Sequence, residues 1–361
     1  MTTKTYPCTQ CGAKLEFAAG QHALVCPYCG NKNAIETDVS VQLQAQHELD
    51  YQAYLEQQAG NEANIEAQVV KCTACGAQSQ FAAHVVADRC PFCATPMIAA
   101  NAYRQRIIQP KGIAPFLIKE AQARQEFKRW IESLWFAPNA LKQAYRAAYG
   151  LKGIYIPHWT YDAQTDTDYR GQRGTNHTRT ETYTEDGETR TRQVTVIHWG
   201  PVSGQVHVNF DDVLVMASNS LPSNYADSLA PWDLSQLQGY TDDYVSGFTV
   251  EAYQVGLQNG FTQAQGVMEV EIQRAIREDI GGDHQQIDDM NPYYHHIQFK
   301  HILLPIWLSS YQYGGTSYRF LVNGQSGKVK GERPYSGWKI AGAVLLGLSL
   351  VAGVIWLAQH H

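Results

Sequence analysis

The chain has 361 residues, 44% of them hydrophobic, and carries 34 Asp/Glu against 28 Lys/Arg, a net charge of −6. That balance works against a general grip on phosphate backbones, which needs a basic surface. All eight cysteines fall into one pattern used twice, which excludes reading any of them as an incidental core thiol.

The first copy is Cys8-x2-Cys11, fourteen residues, then Cys26-x2-Cys29; the second is Cys72-x2-Cys75, again fourteen residues, then Cys90-x2-Cys93. Four cysteines in two CxxC pairs form the ligand set of a structural Zn²⁺ site, so two zinc ribbons are expected, at 1–36 and 68–100. Gly12 and Gly76 follow the first pairs, where a positive φ is needed. Pro27 and Pro91 enter the second pairs. Leu15, Phe17 and Phe81 read as short-strand residues between the pairs. Each ribbon is too small for a core of its own, so the metal supplies much of its folding energy. With four thiolates per site no position is left for water, which makes the sites structural rather than catalytic. His22 and His84 are surplus to complete sets. Disulfides would need an oxidising compartment, and no secretory signal opens the chain. Iron in a four-thiolate site is the competing metal.

Residues 37–67, polar with a weak apolar stripe, read as a helical linker between the ribbons, with a disordered tether as the alternative. Residues 1–100 carry five Lys/Arg and nine Asp/Glu. Loaded with zinc they approach about −8, which disfavours nucleic acid as their partner. The balance reverses in 101–150, with nine Lys/Arg against three Asp/Glu. Within it, Lys119–Ala137 reads as a helix with Phe127, Trp130, Ile131, Leu134 and Trp135 near one side, and Arg124, Lys128 and Arg129 on the other. Its apolar side faces either the core or an anionic membrane surface.

Residues 151–337 read as a β-rich domain. Lys152, Ile154, Pro157 and Trp159 recur 148 residues later as Lys300, Ile302, Pro305 and Trp307, which predicts two related units. Thr175–Thr184 and Glu188–Ile197 around Glu185-Asp186-Gly187 predict a hairpin, polar on both faces and protruding. Phe261–Ile280 predicts a helix with Met268, Ile272, Ala275, Ile276 and Ile280 inward and an Arg274–Glu278 pair outward. Asp279, Asp283, His284, Asp288, Asp289, His295 and His296 form the best enzymatic cluster, yet such crowding after a helix reads more simply as caps and a loop. Asp211-Asp212 reads as a turn. Gly324–Lys328 is too short for a Walker loop, and Val329 stands where Ser or Thr is required.

Finally, 338–358 is long and apolar enough to be a transmembrane helix, with Trp338 and Trp356 at its ends. Lys328, Lys330, Arg333 and Lys339 flank its start and place the preceding chain in the cytoplasm by the positive-inside rule. The expected protein is therefore α+β. It has two N-terminal zinc ribbons, helical linkers, a mainly antiparallel β region with an internal repeat, and one C-terminal transmembrane helix in the cytoplasmic membrane.

The sequence resembles bacterial membrane proteins with transcription-factor-IIB-type zinc ribbons. The resemblance rests on CxxCG…CPYCG and CxxCG…CPFC, on Gly153–Asp162, Gly171–Gly174, Trp199–Gly204 and Phe210–Leu214, and on Pro231–Leu234, Asp279–His284 and Gly331–Ser336. Members of that group are often labelled after the primosomal replication helicase, which also has zinc-binding cysteines. The absence of a nucleotide loop keeps the motor activity from carrying over. The expected function is a non-enzymatic scaffold or adaptor with a protein partner. A membrane-tethered nucleic-acid-binding protein is the alternative, and a metal-dependent membrane enzyme comes third.

Overall fold

A computed structural model describes residues 6–35, 39–57, 64–80, 87–93, 95–138, 150–185, 188–222, 225, 228–313 and 316–359. Its frame is three very long antiparallel strands. Lys152–Glu185 pairs on one side with Glu188–Met216 and on the other with His284–Tyr313. The pairing with Glu188–Met216 is nearly unbroken from Glu185↔Glu188 to His158↔Met216. Beyond Gly174↔His284 the third strand stops and the hairpin continues alone. There its residues are largely exposed on both faces, as alternating Thr, Arg and Glu require.

The helix Leu257–Ile280 lies across the strands and buries Ala264, Met268, Ile272, Ile276 and Ile280 at helical spacing. Gly281 ends it with φ 62°, its N–H returning to the Arg277 carbonyl. Arg274 turns to Glu271 rather than Glu278, because both i+3 and i+4 spacings bring side chains together on a helix. The chain then continues straight into a strand. His284–Tyr313 is not a polar loop: Ile287, Met290 and Tyr294 face the helix while Asp288, Asp289 and Tyr293 face solvent.

The centre of the sheet has a palindromic neighbour order. Outward from the contact of the first and third long strands lie Thr249–Glu251 then Gln78–Gln80 on one side, and Gly112–Ile113 then Gln238–Gly239 on the other. Ile156 pairs with Leu304. Parallel neighbours meet Ile154 and Tyr155 on one strand and Ile302 and Leu303 on the other. Trp159 Nε1 donates to the Val255 carbonyl at 2.9 Å, just before one helix, and Trp307 Nε1 to the Ile118 carbonyl at 2.8 Å, just before another. Among the described residues the sheet has twelve strands and is mixed, with two parallel contacts among antiparallel ones.

The segment between the cysteine clusters is not one helix. It holds helices Val39–Gln46 and Tyr51–Glu56, a two-residue strand at Leu49–Asp50 and the start of strand Asn64–Lys71. Tyr51 and Tyr54 bury against Phe299, and this tertiary anchoring divides a segment whose helical stripe is weak. The basic helix runs Glu120–Ser133, with Ala123, Phe127 and Ile131 in the core. The last element is a helix at Gly337–Gln359 whose apolar length suffices to cross a membrane, and its apolar stretch is not buried among the described residues.

Candidate metal centres

Four tight knuckles build the two clusters. In three of them the first cysteine's N–H bonds a carbonyl five residues on, and its own carbonyl accepts from the glycine four residues on. Those glycines, Gly12, Gly30 and Gly76, have φ of 76°, 73° and 78°, a region that penalises a Cβ. The fourth knuckle keeps the Cys90 N–H to Thr95 bond at 2.8 Å. Its Ala94, at the corresponding place, lies outside the described residues.

The sulfurs of each set all lie within 4.8 Å of one another. Cys8–Cys29 and Cys11–Cys26 are 3.5 Å apart, Cys72–Cys93 3.5 Å and Cys75–Cys90 3.6 Å. A disulfide requires about 2.05 Å, whereas four sulfurs about 2.3 Å from one tetrahedral ion stand about 3.8 Å apart. All eight cysteines are free. Both clusters thus have the donor set and spacing of a structural Zn²⁺ site, and all four places are thiolate. Backbone N–H groups of Gln10 and Cys11 lower the Cys8 thiol to about 6, favouring the thiolate that a metal needs. Asn31 Nδ2 reaches Cys8 Sγ at 3.7 Å, and Thr95 Oγ1 lies 3.2 Å from Cys93 Sγ. His22 is exposed, and His84 and Phe81 lie outside the described residues.

The clusters differ in how they are held. The first has its own three-stranded sheet, Glu16–Phe17, Ala23–Val25 and Lys32–Ala34. It docks through Phe17 against Tyr244 and Phe248, and through main-chain bonds from Phe17 to Ser246 and from Gly20 to Phe116. The second is part of the main sheet: Gln78–Gln80 pairs with Thr249–Glu251. Cys72, Cys90 and Phe92 share a core with Ile154, Ile156 and Ile306.

The acidic and histidine groups considered for catalysis are separated into local contacts. Asp279 accepts from the Tyr169 hydroxyl, Asp283 from the Asn176 N–H, and His284 bonds Asn176. Asp289 pairs with Arg170 at 2.8 Å and His295 with Asp166 at 3.0 Å. Asp288 bonds Gln286. Gly324–Lys328 is a strand–turn–strand corner, closed by Gly327 to Asn323 and Asn323 to Lys328 bonds, and not a strand–loop–helix phosphate site.

One charged cluster escaped the sequence. Glu48, Asp162 and Asp211 come together, and the buried Lys300 ammonium lies 2.8 Å from Glu48 and 3.0 Å from Asp212. Asp212 takes φ 52° where two residues oppose Asp162, a β-bulge. Burial and the adjacent Glu48 carboxylate push Asp162 up to about 7. Lys300 already supplies the positive charge there, so the group reads as a buried ionic lock between the inter-ribbon segment and the sheet. No local pattern links positions so far apart in sequence.

The chain is similar to the uncharacterized protein YdjG of Bacillus subtilis (strain 168), 27% identical over 256 residues that cover 68% of this chain and 72% of that protein. No family model matches the chain, and no solved structure does.

Proposed function

We propose that the protein is a membrane-anchored scaffold or adaptor without catalytic activity, its body facing the cytoplasm and its zinc ribbons presenting a docking surface to a protein partner. The observation that carries this reading is the combination of two all-thiolate clusters on one β body with an apolar helix whose membrane-length stretch is not buried among the described residues. We assign Cys8, Cys11, Cys26, Cys29, Cys72, Cys75, Cys90 and Cys93 as the zinc ligands. The first ribbon is the docking candidate: Tyr28, at the tip of its second knuckle, is 84% exposed on a metal-locked turn with little ordering left to lose. The cytoplasmic orientation rests on Lys328, Lys330, Arg333 and Lys339 before and within the first turn of the helix. The palindromic sheet order and the matched tryptophan bonds support two related units within 151–337.

Nucleic-acid binding is the weaker reading. Arg104, Arg124, Lys128 and Arg129 each have an acidic neighbour, Glu66, Glu120, Glu132 and Glu126, so these four cations do not form an uncompensated basic stripe. The test has two parts. A reporter at the N-terminus is expected in the cytoplasm, and removal of 338–361 is expected to release the protein from membranes. DNA and RNA binding near physiological salt is expected to be weak. Tight binding abolished by loss of the ribbons would replace the adaptor with the nucleic-acid reading.

A further inference from the structure

The turn after the basic helix is tied to the start of the apolar helix. Lys339, two residues into Gly337–Gln359, donates its ammonium to the carbonyls of Trp135 at 3.0 Å and Ala137 at 2.9 Å. The Ser336 N–H donates to the Phe136 carbonyl at 2.8 Å. Leu134 and Ala137 point into the core, while Trp135 is 79% exposed and Phe136 is exposed beside it. Tyr335 and Trp338, from the other strand of this junction, are also exposed, Trp338 at 91%. The Arg333 guanidinium lies over the Tyr335 ring. Four aromatic side chains thus stand free around one point of entry into the apolar helix.

We propose that this turn is a second membrane contact, with Trp135 and Phe136 seated in the headgroup layer beside Tyr335 and Trp338. The proposal rests on the reading of 337–358 as a membrane span. If the span begins at Gly337, Lys339 lies about 3 Å along its axis. The main-chain bond from Ser336, one residue before that start, to the Phe136 carbonyl then holds the turn beside it. The interfacial layer is about 5–8 Å deep on each face of a bilayer, and it is where Trp and Tyr partition. Arg333, over the Tyr335 ring, supplies positive charge there for lipid phosphates. The occupant is therefore lipid. The basic helix itself does not lie on the membrane. Its apolar side is spent on the core, where Phe127 stacks on Phe320, and its cations are paired along the helix. Only the turn at its end reaches the bilayer. Two contacts, one through the chain and one through this turn, restrict how the body tilts and so which face the ribbons present.

Photo-crosslinking in full-length, zinc-loaded protein tests this in phospholipid vesicles containing phosphatidylglycerol. A benzophenone amino acid is placed singly at Trp135, at Trp338 and at Tyr183 on the protruding hairpin. Lipid adducts are expected at 135 and 338 and absent at 183. An adduct at 338 without one at 135 overturns the second contact and leaves the span intact. A protein–protein adduct at 135 in place of lipid also overturns it. Absence of lipid adducts at 338 means that the span reading itself has failed. Retention of two zinc ions per chain in each variant excludes misfolding as the cause of a negative result.

Discussion

The two ribbons share ligand spacing and knuckle geometry but stand in different relations to the body. The first is a separate small sheet whose Cys8, Leu15, Phe17, Leu24 and Cys26 are buried against the core; the second donates a strand to the main sheet. The same sequence position makes the point. Tyr28 and Phe92 occupy the third place of matched CP[YF]C knuckles, yet Tyr28 is 84% exposed and Phe92 3%. Metal-ligand spacing fixes a knuckle's shape and says nothing about which side of it is covered. Both ribbons pack against the body, but the second knuckle of one is a wall of it and that of the other a surface.

The largest effect should come from the metals. Cys26→Ser and Cys90→Ser should each lower zinc content from two ions per chain to one, since a structural zinc contributes about 10–16 kcal/mol of apparent folding energy to a free-standing zinc peptide. The consequences should diverge. Loss of the second site should expose Val250–Glu251 and the adjoining Ile154–Ile156 to amide exchange. Loss of the first should affect Phe116 and Tyr244–Phe248 and leave the long strands protected. Equal loss of protection throughout would show that the two ribbons are equally coupled to the long strands.

The eight cysteines and the apolar helix were legible because their signals are local: ligand spacing within a short segment, and a continuous apolar run. The helix ending at Ile280 was legible for the same reason, its buried residues recurring at helical spacing. The first part of the strand His284–Tyr313, as far as His296, was not. Bulges opposite Ala163 and near Arg170 shift its register, so Ile287, Met290, Tyr294 and Ile297 never make a clean alternation. Its solvent face is rich in Asp and His, which imitates a capping loop. The Glu48–Lys300 lock was illegible because it joins segments about 250 residues apart.

The knuckle aromatics give a smaller and cleaner comparison. Phe92→Ala should cost about 3–5 kcal/mol by leaving a cavity against Cys72, Ile154 and Ile306. Tyr28→Ala should change stability by no more than about 0.5 kcal/mol. If the first ribbon is the docking surface, the Tyr28 variant should instead lose partner association, measured by co-purification from solubilised membranes. Comparable thermal destabilisation by both substitutions would remove the distinction between wall and surface.

The last comparison is a pH dependence carried by the second ribbon's seam. Glu251 pairs with Ser79 of that ribbon and is fully buried. Burial raises its carboxyl to about 8, against the opposing bonds from Ser220 and Ser218. The folded protein therefore keeps a proton that the unfolded chain releases near 4.5. The resulting stability is fully present below about 4.5 and is lost as pH rises through about 8. His158 and His301 act in the opposite sense at the acid end. Burial lowers both to about 4, so their contribution is complete above the ordinary 6.5 and is lost as pH falls through 4. The first ribbon's seam is held by the Ser246 hydroxyl on the Leu15 carbonyl and has no such group in that contact. Glu251→Gln, compared with the parent by thermal unfolding from pH 6 to 9 at constant zinc, should remove most of the alkaline decline. Because thiolate–zinc bonding itself strengthens as pH rises, the informative quantity is the difference between the two proteins. A difference that stays constant across the range would mean that Glu251 is ionised in the folded state and that its seam is polar enough to solvate it.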